Sequence, residues 1–168
     1  ALTPIISEEA LKKSLQNYQM YFYNHFIQLF RQKIGLLKKE EKDFELIEQI
    51  LNWLKEEKLD YTNFFRDFDE YVFGKTEFGW KENYLARFSK EKISQEQCIE
   101  IIKAKNPKFI LRNYLAQNAI KKAEEGDFTE VEKLLGILKS PFSEHKKLED
   151  YAKESPDWGK NLEISCSS

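Results

Sequence analysis

Apolar side chains recur at three-to-four spacing through most of the chain, the period of amphipathic helices, and the two-residue alternation of half-buried strands is almost absent. The first run is the longest. Leu11, Leu15, Tyr18, Phe22, Phe26 and Leu29 share one face of a helix that Ser7 can cap and that runs to about Lys33, with Gly35 as its stop. Together with Met20, this aromatic stripe reads as core. Acidic and basic residues dominate Lys38 to Asp43, which reads as a solvated connector. A second helix follows with Phe44, Ile47, Ile50, Leu51 and Leu54 on one face. Asp60 or Thr62 can open a third, whose face carries Phe64, Phe65, Phe68, Tyr71 and Val72. Gly74 to Trp80 reads as a loop and Tyr84 to Phe88 as a short helix.

Ser94-Gln95-Glu96-Gln97 has the spacing of a capping box, opening a helix that turns Cys98, Ile101 and Ile102 inward. Asn106-Pro107 places a good cap before a proline at a first helical position, so the next helix is expected from there through Ile110, Tyr114, Leu115 and Ile120 to Gly126. Asp127 with Glu130 is expected to cap a partner carrying Phe128, Val131, Leu134, Leu135 and Leu138, which Ser140-Pro141 ends. Ser155-Pro156 can start a short turn under Trp158. The pattern predicts an all-α fold of about six to eight helices. It should form one domain over residues 1–168, an irregular bundle ending in a helical hairpin and a mobile tail at 160–168. The 107–139 hairpin has the length of a tetratricopeptide or ankyrin unit, but solenoids need at least about three stacked copies and no second copy is present.

Composition narrows the function. Thirteen Phe and eight Tyr in 168 residues supply a substantial core, and a net charge of −2 argues against both disorder and a dedicated nucleic-acid face. No apolar run approaches the roughly 20 residues that cross a bilayer. The two cysteines, Cys98 and Cys166, make no secreted disulfide framework, so a reducing, cytoplasm-like compartment is expected. The sequence opens on Ala1 without an initiator methionine and reads as a piece of something longer.

Most candidate chemistry dissolves on inspection. Arg112-Asn113 followed by Asn118 has the spacing of a kinase catalytic loop, but an amide stands where the base must be. Glu77-Phe78-Gly79 mimics a metal-binding Asp-Phe-Gly without any glycine-rich phosphate loop. Asp67, Asp69 and Glu70 read as a solvated helix face, and His25 and His145 have no ligand spacing. Lys103, Lys105, Lys108 and Arg112 form a small basic patch, read as solvated. Arg112 is its candidate for an interdomain contact, because a guanidinium can clamp a carboxylate from another domain. Cys98 reads as a small packed hydrophobe. Cys166, third from the end and flanked by serines, reads as a reachable thiol, the alternative being an inert thiol on a frayed tail. No catalytic, cofactor-binding or metal-binding residue emerges.

Asn106-Pro107-Lys108-Phe109-Ile110-Leu111-Arg112-Asn113-Tyr114-Leu115-Ala116-Gln117 resembles the "N-P-x-x-x-L-R-N-x-L-A-Q" segment of the selenoprotein O (YdiU) family. The likeness continues through Gly126-Asp127-Phe128, Pro141-Phe142 and Pro156-Asp157-Trp158 to Ser165-Cys166-Ser167-Ser168, and upstream through Lys33-Ile34-Gly35-Leu36 and Asp60-Tyr61-Thr62. It implies the C-terminal helical part of a longer protein whose kinase-like N-terminal domain transfers AMP from ATP, with a divalent metal (Mg or Mn), to Ser, Thr or Tyr hydroxyls of protein substrates. The residues that do this precede the matched segment, so none maps onto this chain, and its own partner is that kinase-like domain. The family places selenocysteine or cysteine at the position of Cys166, which implies a redox element that gates activity. Cysteine there points to a bacterial, cytoplasmic source; a eukaryotic one would be mitochondrial. The alternative reading is a non-catalytic helical interaction module. A severed domain should expose an apolar patch, so the aromatics of Tyr18–Phe30 and Phe64–Tyr71 discriminate the two.

Overall fold

Ser7 opens the longest helix, α1 (Glu8–Lys33), its hydroxyl accepting a hydrogen bond from the Ala10 N–H at 3.3 Å. The computed structural model describes residues 5–163. The chain turns after α1 at Gly35, whose φ of +74° and close approach both require glycine: a Cβ there would sit 2.4 Å from Cys98 Sγ. α2 (Asp43–Glu56) follows, then α3 (Tyr61–Arg66), capped by Asp60 through the Asn63 N–H at 2.9 Å. α4 (Phe68–Phe73), α5 (Lys81–Phe88) and α6 (Gln95–Lys105) complete the first body, α6 opening on the reciprocal capping box of Ser94 and Gln97. α7 (Asn113–Glu124) and α8 (Thr129–Leu138) pack on each other as a hairpin, and two short 3-10 turns, Glu149–Ala152 and Asp157–Gly159, follow. The described residues are thus all-α, with eight helices and no strand.

Two apolar cores result. The larger is aromatic: Phe68 stacks on Trp80 at 5.6 Å and Trp80 on Phe78 at 5.7 Å, with Phe64, Phe65 and Tyr84 buried around them. The smaller lies inside the hairpin, where Tyr114, Leu115, Ala119 and Leu134 meet Tyr151 and Leu162.

Three local expectations are corrected. The helix expected from Asp60 or Thr62 through Val72 breaks at Asp67 (φ −104°, ψ 22°), because Lys103 Nζ takes the Arg66 carbonyl at 2.8 Å. Asn106 does not start a helix. It ends α6, its amide donating to the carbonyls of Lys33 (2.7 Å) and Ile102 (2.9 Å), and α7 begins only at Asn113. Residues 107–112 stay outside any helix because Phe109 drops into the interior and the Lys108 and Phe109 N–H groups donate to the Pro141 carbonyl. On α8 the inward side chains are Leu134 and Ile137, while Phe128, Val131 and Leu135 face solvent. Phe128, not Asp127, stands at the N-cap of α8; Asp127, one residue before it, accepts from the Thr129 N–H, and Glu130 turns inward to Lys122 and Tyr151.

Candidate functional site: an uncovered helix face and a polar joint

The stripe on α1 is not core. Leu15 is 70% exposed, Tyr18 61% and Phe22 57%, and Met20 and Leu29 are exposed as well. The helix meets the body toward its C-terminal end, through Phe26, Ile27 and Phe30, with Tyr23 tilted against Phe44 of α2 at 5.1 Å. The rings nevertheless form one ladder at i,i+4 spacing, with centroids of Tyr18–Phe22 at 6.0 Å, Phe22–Phe26 at 6.1 Å and Phe26–Phe30 at 4.5 Å. Phe30 then meets Phe65 of the large core edge-on at 5.8 Å. At the foot of the stripe Lys33 lies over Phe65 (4.9 Å) and Tyr61 (5.3 Å), where burial lowers its ammonium pKa. The second aromatic set behaves oppositely: Phe64, Phe65 and Phe68 are buried, and Tyr71 partly so. Of the two sets, the exposed one is therefore that of α1.

Three of the four residues of the basic patch, Lys103, Lys108 and Arg112, are individually paired, and Lys105 is exposed. Lys103 bonds Asp69 at 2.8 Å, and Lys108 holds Glu144 and Glu149 at 2.8 and 2.7 Å. Asp69 is consequently partly buried, not on an open acidic face. Among the described residues no cluster of three His, Cys, Asp or Glu side chains could hold a metal. Arg112 clamps a carboxylate through two parallel bonds, Nη1 to Asp60 Oδ2 at 2.6 Å and Nη2 to Asp60 Oδ1 at 2.9 Å. That partner lies in the same chain.

Together with Arg66 this fork makes a polar joint between the two cores. Arg66, buried, donates to the carbonyls of Lys103 (2.7 Å), Asn106 (2.9 Å) and Phe142 (3.2 Å), and to Glu144 at 2.6 Å. Burial of Asp60 disfavours its anion, but the hydrogen bonds from Arg112 and Asn63 outweigh this and hold the carboxyl below its ordinary value. A depressed carboxyl stabilises the fold above its unfolded pKa, and that contribution fades as pH falls through the folded one. Arg112→Met is therefore expected to lower unfolding free energy by about 1.5–3 kcal/mol at neutral pH. The gap to the wild type should narrow below about pH 4, checked by urea titrations across pH.

The connector 38–43 is likewise not simply solvated. Asp43 is buried, as are Arg87 and Glu91. Sequence reading misses this tie and the role of Arg66; the one local signal is the i,i+4 spacing of Arg87 and Glu91. An open cleft of about 520 Å³ beside it is lined by Glu45, Gln49 and Asn83 among others. Four of its polar side chains are matched with one another: Gln49 with Asn83 at 3.0 Å, Lys90 with Glu40 at 2.9 Å.

Cys98 is fully buried, with burial pushing its thiol pKa up and Tyr84 Oη 3.5 Å away, so it packs rather than reacts. Ser140 Oγ and His145 Nε2 lie 2.9 Å apart, a pairing that can mark a nucleophile and its base. The same nitrogen faces the Ser140 carbonyl at 3.1 Å, and only a protonated nitrogen suits that oxygen, so it cannot act as base to the hydroxyl. At the chain end Asn113 Nδ2 donates to the Leu162 carbonyl at 2.7 Å, fixing the tail as far as Leu162. Cys166 lies outside the described residues.

Fold and surface together define, over the described residues, an all-α arrangement with two cores and one largely uncovered amphipathic helix. The family described as protein adenylyltransferase SelO matches residues 1–139. The protein nucleotidyltransferase YdiU of Pseudomonas fluorescens strain Pf0-1 is 42% identical over 182 residues, with all of this chain and 37% of the relative aligned. Proteins of the same name from Aliivibrio fischeri strain MJ11 and Vibrio vulnificus strain CMCP6 are each 41% identical, again across the whole chain and over 37% and 38% of their own lengths. The chain belongs to the protein adenylyltransferase SelO family, and it spans about 37% of the length of these relatives. No described helix is long and apolar enough to cross a membrane.

Proposed function

We propose that this chain is the C-terminal helical part of a protein that transfers AMP from ATP to Ser, Thr or Tyr hydroxyls of other proteins. In this reading it serves as scaffold and redox-responsive tail, in a reducing, cytoplasm-like compartment. The observation that carries the reading is whole-chain likeness to bacterial nucleotidyltransferases of which it covers little more than a third. ATP and a divalent metal, Mg or Mn, belong to the kinase-like remainder; the described residues contribute support, not chemistry. The exposed face of α1 supports this reading over a self-contained interaction module, which should bury its aromatics. Cys166 is assigned the regulatory role: a small-molecule disulfide exchanges with the Cys166 thiolate and then with a second cysteine of the parent, leaving as two thiols that carry the two electrons and two protons. The protein disulfide so formed is reopened by a dithiol, which is itself oxidised to a disulfide.

The test uses the full-length parent. Wild type and Cys166→Ala are compared for transfer of labelled AMP to protein, each with and without dithiol. Transfer by both, with a several-fold response to reductant in the wild type alone, is expected. Absence of transfer under all conditions overturns the enzymatic reading, and equal transfer by both proteins in all conditions overturns the redox role.

A further inference from the structure

From Ser14 to Phe30 the chain runs 17 residues without Asp, Glu, Lys or Arg, although charged residues make up 33% of the whole. This stretch holds Leu15, Tyr18, Met20, Tyr21, Phe22, Tyr23, Phe26 and Leu29, with Gln16, Asn17, Gln19, Asn24 and Gln28 as its neutral amides. Solvent-facing helix surfaces are ordinarily charged. Aromatic residues and methionine with few charges are instead the composition of a protein–protein interface core. The exposure of Tyr18, Met20, Tyr21, Phe22 and Tyr23 places that composition on the outside of this fold.

Such a helix is not stable by itself. Between Glu8 and His25 its tertiary support is slight, the Tyr23–Phe44 ring contact near its end, leaving the Glu8–Lys12 pair and the Tyr18–Phe22 stack, each worth a small fraction of what helix ordering needs in water. What covers it is named by length: about three fifths of each relative lies outside the region this chain matches. Five amides and three tyrosine hydroxyls along the helix exclude lipid as the cover, and they call for a surface with hydrogen-bonding groups between apolar patches.

We propose that the α1 face Leu11–Leu15–Tyr18–Phe22–Phe26–Leu29 is the seat of the catalytic remainder of the same polypeptide, an intramolecular interface rather than a dimer contact. The inference rests on the reading that the chain is part of a longer protein. The ring ladder gives the contact a mechanical consequence. Whatever covers Tyr18 and Phe22 is coupled through Phe26 and Phe30 to Phe65, and so to the large core.

The test again uses full-length protein, in two variants that each introduce one cysteine on α1. Phe22→Cys lies on the proposed seat; Lys13→Cys lies on the opposite side of the helix and serves as control. Maleimide labelling is read at each peptide by mass spectrometry, under native conditions and in urea, at concentrations where light scattering gives a monomer. Native labelling at least about tenfold slower for the Phe22→Cys thiol than for the Lys13→Cys thiol, equalised by urea, is the expected result. Amide exchange of Tyr18–Gln28 in the unsubstituted protein supplies the second measurement and should show matching protection. Equal native rates, or protection that disappears on dilution and so belongs to a second copy, overturn the proposal. The AMP-transfer assay is independent: protection without transfer would sink the enzymatic reading alone. Transfer by a Phe22→Cys variant whose new thiol labels freely would sink the seat alone.

Discussion

Arg87→Met is expected to lower unfolding free energy by about 3–5 kcal/mol, a large share of the roughly 5–15 kcal/mol that holds a domain of this size. The guanidinium uses its whole fork: Nε to Asp43 Oδ1 at 2.6 Å, Nη1 to Glu91 Oε1 at 2.7 Å, and Nη2 to the Lys38 carbonyl at 2.6 Å. Burial disfavours the cation, but the bonds to Asp43 and Glu91 outweigh that, and its pKa lies above the ordinary arginine value. Methionine preserves the stem and removes the charge, leaving two carboxylates with side chains about 1% exposed. Arg31 relieves this little, since its Nη1 lies 3.6 Å from Asp43 Oδ2. The local consequence is release of the connector, because Asp43 also accepts from the Glu40 N–H at 2.8 Å and Glu91 from the Lys38 N–H at 3.1 Å. Urea unfolding at unchanged slope measures the loss. If burial of unpaired charge is the cause, adding Asp43→Leu and Glu91→Met should restore much of it; a triple variant as weak as the single one would place the cause elsewhere.

The parts legible in the sequence are those whose physics is local. Ser7, Asp60 and Ser94 each supply a cap oxygen within three residues of the N–H that needs it, and all three helices begin there. Gly35 is legible as a stop, though the reason it must be glycine, contact with Cys98 63 residues away, is not. Asn106-Pro107 misleads because the same side chain that can open a helix closes α6 instead, through carbonyls at 102 and 33. The ties of Arg87 to Asp43 and of Arg66 to Lys103 and Glu144 are invisible for a related reason: these partners lie 37 to 78 residues apart, and a charge in sequence looks alike whether solvated or paired. The α1 stripe shows the converse. Periodicity establishes that a face is apolar and is silent on whether the covering surface lies within the chain.

Arg66→Met should have its main effect on cooperativity. Removing the guanidinium orphans the carbonyls of Lys103, Asn106 and Phe142 and frees Glu144, for a loss of about 2–4 kcal/mol, with water moderating the exposed end. The two cores share little apolar surface, so what binds the α7–α8 hairpin to α1–α6 is chiefly this group, the Arg112–Asp60 fork and Phe109 in its pocket. Loss of the strongest polar member should therefore fall unequally. Amides of α7 and α8 are expected to exchange about 10–100-fold faster in the variant while those of α2 keep close to wild-type protection, a departure from two-state behaviour. Equal acceleration in both halves would show one cooperative unit and dismiss the joint. The distinction reaches function through Asn113, whose side chain holds the Leu162 carbonyl at the start of α7. An uncoupled hairpin therefore carries Leu162 with it. On the proposed reading of the full-length parent, in which AMP transfer responds to dithiol through Cys166, Arg66→Met should blunt that response while leaving transfer under reducing conditions near wild type.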